Sequence, residues 1–314
     1  MPELRHGSFC TGYGGLDSAV QAVFGGTVAW TSDIDPGAAR IIAHRMPGVP
    51  NLGDLTTTNW AAVLNEHGPV DIVTGGYPCQ PFSVAGRRKG TEDDRHIWPY
   101  IADALGVLRP RYAIFENVAG HLRLGFDTVL ADLARLGFDV EWCCVRASEV
   151  GAPHQRNRLF LLAVAQDPDG TTRNQRRLAA PGEEESRGAR SDAGGRGGAP
   201  APDAGGEGLE VRRVEPHRHE RQAAERGRGE RDWGQYAPAI ARWESVTGRR
   251  APWATDDRRR LNPQFVEWLM GLAAGHVTDV PGLTRTQQLK ALGNGVVPQQ
   301  AEAAIRHLYA RTTA

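Results

Sequence analysis

Lysine, cysteine and long apolar runs are all scarce in this chain of 314 residues. Lys89 and Lys290 are its only lysines, so arginine carries nearly all of the positive charge. The 37 basic residues are balanced by 37 acidic ones, which excludes a global basic field that would attract nucleic acid. A nucleic-acid partner would therefore have to be bound by local patches, where the planar guanidinium of arginine suits phosphates and base edges.

The four cysteines, Cys10, Cys79, Cys143 and Cys144, show no C-x-x-C spacing, and so indicate neither a zinc site nor a disulfide framework. The first residues lack the apolar core of a signal peptide, and no later run approaches membrane-spanning length. We therefore expect a soluble cytoplasmic protein with no metal site and no membrane partner.

Aromatic residues are missing from residues 167–232, where four residues are the only large aliphatic side chains. These four are Leu178, Leu209, Val211 and Val214. So little apolar surface cannot offset the entropy of ordering the chain, and we expect this insert to be disordered in isolation.

Residues 1–166 alternate short apolar runs with segments of helical spacing, which predicts an α/β domain with a mostly parallel sheet and helices on both faces. Ligands of such sheets bind beyond the carboxyl ends of the strands. Order is expected to resume in a small part at 233–259, followed by a segment at 260–314 that returns to the first domain. The predicted strands are Leu4–Cys10, Thr27–Ser32, Val70–Thr74, Tyr112–Glu116, Val140–Arg146 and Leu159–Ala165. The predicted helices are Leu16–Phe24, Gly37–Arg45, Ile97–Leu108 and Phe126–Leu136, with others near Ala239–Trp243, after Asn262 and after Pro298.

Cys79 lies between two prolines in the segment GGYPCQPFS, which follows the apolar run Val70–Val73. The run predicts a buried strand, and the glycines and prolines after it break regular structure. Most lone cysteines are small buried side chains. A thiol delivered to the rim of a sheet on a stiff turn is better explained as a nucleophile, which is the interpretation that we favour.

A glycine-rich turn over Phe9–Gly15 follows the first predicted strand and precedes a helix, as in many ligand-binding α/β folds. Asp33 ends the next strand about 20 residues later, where a carboxylate can bind a ribose diol. Asp54 ends a third short segment, where it could meet an adenine amino group. Each acid alone could be a helix cap or a surface charge, but in this order they favour a nucleoside-containing cofactor.

Three further motifs follow along the chain. FENV ends a predicted strand and places Glu116 at the same rim as Cys79. PHQRNR places Arg156 and Arg158 two apart, so that they point the same way if the chain is extended. GNGVV occupies residues 293–297. With the glycine-rich turn and the Pro-Cys motif, in this order, the chain resembles the DNA (cytosine-5)-methyltransferase family, of prokaryotic or phage type, over residues 5 to about 166 and about 260 to 310.

The resemblance implies that a methyl group passes from S-adenosylmethionine to C5 of cytosine in double-stranded DNA. It implies Cys79 as the thiolate that attacks C6, and Glu116 as the acid that stabilises or protonates N3. Arg156 and Arg158 are implied to contact the base carbonyl and to organise Cys79. The target base would have to be flipped out of the duplex.

The resemblance also implies a Rossmann-like catalytic domain, and a mobile loop over Ser83–Trp98 whose cations contact the DNA backbone. The implied cofactor residues are Phe9, Tyr13, Gly15, Asp33, Ile34, Asp54, Pro78, Trp98, Asn294 and Val296. The implied DNA-contacting residues are Gln80, Ser83, Arg87, Arg88, Lys89 and Arg95.

The recognition segment departs from the family's pattern, in which an ordered domain lies between the paired arginines and the last motifs. Here that interval, about 167–258, is mostly the aromatic-free insert, which is either a solvated linker or a segment that contacts DNA. The compact candidate for reading bases is Val211–Thr255, with Arg212, Arg213, Arg242, Arg249 and Arg250 as groove contacts or solvated charges.

Three other interpretations remain open. Cytosine methylation of RNA would use the same residues. A nicotinamide-dependent oxidoreductase would explain the glycine-rich turn and Asp33, but would leave Cys79, Glu116 and the arginine pair without roles. A catalytically silent DNA-binding relative is disfavoured by the same reactive residues. We expect a monomer in a prokaryotic or phage-infected cell, with a cognate restriction endonuclease as its functional partner.

Overall fold

The computed structural model describes residues 3–78, 97–166 and 231–312. Its centre is a six-stranded sheet. The strands are β1 Arg5–Phe9, β2 Thr27–Ser32, β3 Ile72–Gly75, β4 Tyr112–Val118, β5 Phe138–Arg146 and β6 Asn157–Ala165. Their order in the sheet is β2-β1-β3-β4-β6-β5. Strands β1 to β4 pair in parallel, whereas β6 runs antiparallel to both β4 and β5. The predicted mostly parallel sheet is therefore confirmed.

Helices cover both faces of this sheet, because neighbouring strand residues point to opposite sides. The helices are α1 Gly15–Phe24, α2 Pro36–Arg45, α3 Trp60–His67, α4 Trp98–Leu108, α5 Phe126–Arg135, α6 Ala237–Thr247, α7 Pro263–Leu269, α8 Arg285–Asn294 and α9 Pro298–Thr312. Val73 and Phe115 pack with α3, α4 and α5 on one face, whereas Ile72 and Ile114 pack with α1 and α9 on the other. None of the helices in the described ranges is long and apolar enough to cross a membrane.

Two of these helices, α3 and α8, were not predicted from the sequence. Helix α8 is polar, and Ala291 and Leu292 are its buried residues, so it lacks the apolar stripe that marks an amphipathic helix. Its start carries a capping box, in which the Thr284 side chain accepts from the Gln287 main chain while Gln287 reaches back to Thr284. The capping box was the available signal for α8.

The C-terminal helices pack in two different places. Helix α9 packs on α1 and on strands β5 and β6, as expected for a segment that returns to the first domain. Helices α6, α7 and α8 share a second core with the glycine-rich turn, in which Trp243 donates from Nε1 to the carbonyl of Trp268 at 2.9 Å. The predicted insert lies outside the described residues, except for Arg231 and Asp232.

Glu267 organises the connection between α7 and α8. Its buried carboxylate accepts main-chain N–H groups of Gly275 at 2.8 Å, Val277 at 2.6 Å and Thr278 at 3.0 Å. It also accepts the Thr278 hydroxyl at 3.0 Å. Since His276, within this connection, contacts the main-chain carbonyl of Tyr13 at 2.8 Å, Glu267 also supports the glycine-rich turn.

We expect Glu267→Gln to lower the free energy of unfolding by about 2–4 kcal/mol, because the amide places a donor against main-chain donors and removes the buried charge that they bind. Urea denaturation measures the change. Glu302→Gln is the matched control, since Glu302 pairs with Arg306 on an exposed helix face, and should cost less than about 0.5 kcal/mol. Equal costs for the two variants would contradict the role given to Glu267.

Candidate active site

The candidate site lies at the carboxyl ends of the parallel strands. Because β6 runs antiparallel to β4, the beginning of β6 meets the end of β4 at this same edge. The register pairs Val118 with Arg158 and Glu116 with Phe160. The arginine pair and the acid of the FENV motif are thereby brought together from opposite ends of their strands.

Glu116, which is buried, forms an ion pair with the partly exposed Arg158 at this edge. Arg158 Nε lies 2.8 Å from Glu116 Oε1, and only 7% of Glu116 is exposed. Burial raises the pKa of Glu116 above its ordinary value, while the guanidinium groups of Arg158 and Arg156 oppose that rise. The site thus holds a carboxyl group that takes up a proton more readily than one in water.

The charge of Arg156 acts on Glu116, but its guanidinium also binds a second segment of the chain. Its φ of +32° lies in the left-handed region, so the chain is not extended here and the two arginines contact different groups. The Arg156 guanidinium donates to the carbonyls of Gly293 at 3.0 Å and Gly295 at 2.5 Å. Gln300, which the sequence did not single out, donates from Nε2 to the Arg156 carbonyl at 2.8 Å and so fixes the turn.

The glycine-rich turn is tied to the end of β2 through Asp33. The Asp33 carboxylate accepts the N–H of Gly12 at 2.8 Å and that of Asp35 at 2.9 Å. Burial raises the pKa of Asp33 above its ordinary value. A second residue that sequence reasoning missed, Asn51, accepts from the N–H of Asp33 at 2.9 Å and that of Gly53 at 3.2 Å.

Asp54 directly follows Gly53, so the contacts of Asn51 with Gly53 and Asp33 connect the segments that carry the two acids. Its Oδ1 accepts from the N–H of Thr56 at 2.9 Å and from the Thr56 hydroxyl at 2.7 Å, which closes a turn. Ser32 donates to the carbonyl of Gly53 at 2.8 Å. The two acids are therefore held on neighbouring turns, and their roles toward a cofactor stay predictions.

The apolar residues proposed for the cofactor have very different surroundings. Phe9 is fully buried against the rings of Trp30 and Trp60. Trp98 is also buried, and its Nε1 donates to Asp132 at 2.9 Å. Ile34 is 71% exposed beside Asp33, which leaves an apolar surface open to a ligand.

Tyr13 and Gly15 connect the glycine-rich turn to the C-terminal motif. The Tyr13 hydroxyl donates to the Val296 carbonyl at 2.7 Å, and burial raises the pKa of Tyr13. A Cβ on Gly15 would overlap the Val296 carbonyl oxygen, so this approach requires glycine. Asn294 is exposed at the end of α8.

The Pro-Cys motif is described only up to Pro78, which is exposed. A Cβ on Gly76 would lie 3.6 Å from Glu116 Oε2, so the backbone that leads to the nucleophile candidate passes beside the acid. The remaining predicted residues of this motif and its loop lie outside the described residues: Cys79, Gln80, Ser83, Arg87, Arg88, Lys89 and Arg95.

Two of the arginines suggested for reading bases make internal contacts. Arg242 donates to the carbonyl of Gly151 at 3.4 Å, and Arg249 donates to the carbonyl of Leu272. Within the described ranges, no cluster of three or more histidine, cysteine or acidic side chains could hold a metal ion.

The profile of the C-5 cytosine-specific DNA methylase family matches residues 4–196, so the chain belongs to this family, as its motifs predict. It is 29% identical over 174 residues to Type II methyltransferase M.HgiCII of Herpetosiphon aurantiacus, which covers 53% of this chain and 38% of the relative. It is 32% identical over 171 residues to Type II methyltransferase M.NaeI of Lentzea aerocolonigenes, which covers 52% of this chain and 40% of the relative. The chain thus spans about two fifths of the length of these curated relatives.

The fold is similar to that of a solved methyltransferase. The crystal structure of S. pombe Dnmt2 methyltransferase superposes with a TM-score of 0.60 and 16% sequence identity, over 99% of this chain and 100% of that chain. At this identity the likeness concerns the fold, and it agrees with the predicted Rossmann-like arrangement.

We expect Arg158→Met to destabilise the protein by about 3–5 kcal/mol near pH 8, because a buried carboxylate would lose its partner. The pKa of Glu116 should rise further above the ordinary 4.5. A raised pKa in the folded state leaves stability intact below the unfolded value and removes it as the pH rises through the folded value. The loss measured by urea denaturation should therefore shrink toward about pH 4.5.

Arg135→Met is the control for this measurement. Arg135 contacts Asp132 at 2.8 Å, but its side chain is 74% exposed. Its replacement should cost less than about 1 kcal/mol at either pH. A pH-independent loss in Arg158→Met would contradict the electrostatic coupling to Glu116.

Gly295→Ala should lower the free energy of unfolding by about 1–3 kcal/mol, because a Cβ there would overlap the Tyr13 ring. Gly293→Ala is the matched control two residues away: a Cβ at Gly293 meets nothing within 4 Å, and alanine favours its helix. Thermal unfolding of the two variants measures the difference. A milder effect for Gly295→Ala than for Gly293→Ala would contradict the close approach of this loop to Tyr13.

Proposed function

We propose that this chain transfers a methyl group from S-adenosylmethionine to C5 of cytosine in double-stranded DNA, in the cytoplasm of a prokaryotic or phage-infected cell. The observation that carries the proposal is the ion pair of buried Glu116 with Arg158 beside the backbone that leads to Cys79, in a chain of this family. A nicotinamide-dependent reaction would give this ion pair no role.

The residues at the strand ends fit a nucleoside-containing cofactor. Asp33 supplies a half-buried carboxylate for a ribose diol, and exposed Ile34 beside it supplies an apolar surface for a base. A Cβ on Gly12 or Gly53 would meet nothing within 4 Å, so the turns on either side of Asp33 leave open space. When bound here, S-adenosylmethionine would supply an electrophilic methyl group on its sulfonium sulfur.

The chemistry assigned to the chain's own residues follows from the low reactivity of cytosine C5. In the proposed mechanism the Cys79 thiolate adds to C6, which forms a C–S bond and makes C5 nucleophilic. After C5 has gained the methyl group, a water molecule takes up the C5 proton and the Cys79 thiolate leaves, so the C5–C6 double bond is restored. Cys79 thus ends the reaction unchanged.

Glu116 is the acid assigned to N3 of the ring. Its raised pKa lets it hold or share a proton while negative charge builds up on the ring during the attack at C6. Arg158 keeps the carboxyl group oriented and limits how far the pKa rises. Arg156 binds the main-chain carbonyls of Gly293 and Gly295, and so holds in place the segment at residues 293–297 next to the site.

The domain organisation is part of the proposal. Residues 1–166 and 260–314 form the catalytic unit, and 233–259 together with the insert at 167–232 form the region that selects the DNA sequence. Contacts of α9 with α1 support the return of the C-terminal segment to the catalytic unit. Base flipping is required, because C5 and C6 of a stacked cytosine are out of reach of a thiol.

Labelled S-adenosylmethionine with duplex DNA, structured RNA or no nucleic acid tests the function. We expect label in duplex DNA, and a loss of more than about 1,000-fold in Cys79→Ala, because the covalent step is removed. Isothermal titration should show that this variant still binds S-adenosylmethionine.

Cys144→Ala is the control, since Cys144 is an exposed cysteine of strand β5 outside the site. It should retain full activity. Undiminished transfer by Cys79→Ala would overturn the covalent mechanism, and label in RNA alone would replace DNA as the substrate.

A further inference from the structure

A buried polar pair joins the segment before Cys79 to the segment after Glu116. The hydroxyl of Tyr77 lies 2.8 Å from Nε2 of His121, and the exposed fractions are 6% and 1%. Tyr77 follows Gly76 at the end of β3, and His121 lies in a short 3-10 helix at residues 119–123 after β4. The pair spans 44 residues of sequence.

The direction of this hydrogen bond follows from the other ring nitrogen of His121. Nδ1 lies 2.9 Å from the carbonyl oxygen of Leu124, which can only accept, so Nδ1 carries the proton. Nε2 of the neutral ring is then an acceptor, and the Tyr77 hydroxyl donates to it. The contact at Nδ1 and the contact at Nε2 together orient the His121 ring, and the Tyr77 hydroxyl also interacts with the side chain of Asn117.

Packing alone would leave the Tyr77 ring more freedom than this bond does. The ring centroid lies 6.0 Å from that of Phe115, edge-on, and 5.6 Å from that of Trp98, tilted. Such apolar contacts have no strong directional preference, so they allow the Tyr77 ring to shift slightly into or out of the core. A directional bond to a buried partner sets one depth, and burying both polar groups would cost free energy without that bond. The pair therefore specifies position as well as filling volume.

The position that it sets is that of the nucleophile relative to the acid. Tyr77 is two residues before Cys79, and His121 is five residues after Glu116. Since β3 and β4 are neighbouring strands, the bond connects the two segments that follow their carboxyl ends. A shift of Tyr77 would move Pro78, the last described residue before Cys79 in the sequence.

We propose that Tyr77 and His121 are positioning residues that hold the Cys79 turn at its working distance from Glu116. This inference rests on the proposed function of Cys79 and Glu116. Neither residue touches the base in this role; both act through the backbone of residues 77–79.

The test compares wild-type protein with Tyr77→Phe in two measurements. The first is single-turnover methyl transfer from labelled S-adenosylmethionine to duplex DNA. The rate constant should fall about 10- to 100-fold, as for a small misplacement of a reacting group, while KM for DNA changes less than about twofold. The second, made without cofactor or DNA, is the rate at which iodoacetamide alkylates Cys79, followed by peptide mass spectrometry. This rate should change at least about threefold, while that of Cys144 stays constant.

Tyr112→Phe is the matched control. Tyr112 is also buried, but it begins β4 at the opposite edge of the sheet and packs on Phe24 and Tyr309. Both rates should equal those of the wild type in this variant. A fall in Tyr112→Phe as large as in Tyr77→Phe would overturn the proposal, because loss of any buried hydroxyl would then suffice.

The double variant Tyr77→Phe with His121→Leu distinguishes an effect on the position of Cys79 from a loss of protein stability. Removal of both polar partners leaves neither the Tyr77 hydroxyl nor His121 Nε2 as an unsatisfied group, so the double variant should be more stable than Tyr77→Phe alone. Transfer and Cys79 alkylation should nevertheless remain altered. Full recovery of both rates together with stability would overturn the positioning role.

The same measurements separate this inference from the proposed function. If the wild type transfers no methyl group but its Cys79 alkylation rate still responds to Tyr77→Phe, the function fails and the positioning role holds. If the wild type methylates DNA and folded Tyr77→Phe matches it in both rates, the positioning role fails and the function holds.

Discussion

The antiparallel placement of β6 between β4 and β5 is the constraint on which the candidate site depends. With its register fixed to β4, β6 starts at the edge where β4 ends, and this alone brings Arg158 to Glu116 at 2.8 Å. A parallel strand in this position would have carried the arginines to the far edge of the sheet. The sheet is therefore part of the electrostatics of the site, because it determines which charges face the buried acid.

The segment at residues 293–297, which begins in the last turn of α8 and ends just before α9, contacts the other motifs. Residues 293–297 accept the Tyr13 hydroxyl through Val296 and the Arg156 guanidinium through Gly293 and Gly295. The contacts are mostly to main-chain carbonyls, so they constrain the path of the segment more than its side chains. Glycine is required at residue 295, where a Cβ would overlap the Tyr13 ring, whereas a Cβ at Gly293 would meet nothing within 4 Å.

The sequence predicted the strands and most helices of the described residues, because their apolar patterns and turn residues agree with the fold. It placed Glu116 and Asp33 at strand ends, where the structure has them. The Glu116–Arg158 pair could not be foreseen, since partners 42 residues apart meet only through strand register. Asn51, Gln300 and the Tyr77–His121 pair were missed for the same reason: each acts through tertiary contacts that carry no local pattern. The role of Cys79 stays a prediction.

The bond between Tyr13 and Val296 has a consequence for synthesis on the ribosome. It joins residues 283 positions apart, so this part of the site cannot form until residue 296 has emerged from the ribosome. Contacts of such long range form late and slow the folding of the unit that they complete. A chain interrupted before residue 293 would lack the acceptors of both Tyr13 and the Arg156 guanidinium. Residues 293–296 must therefore be synthesised before the glycine-rich turn and Arg156 can assemble this part of the site.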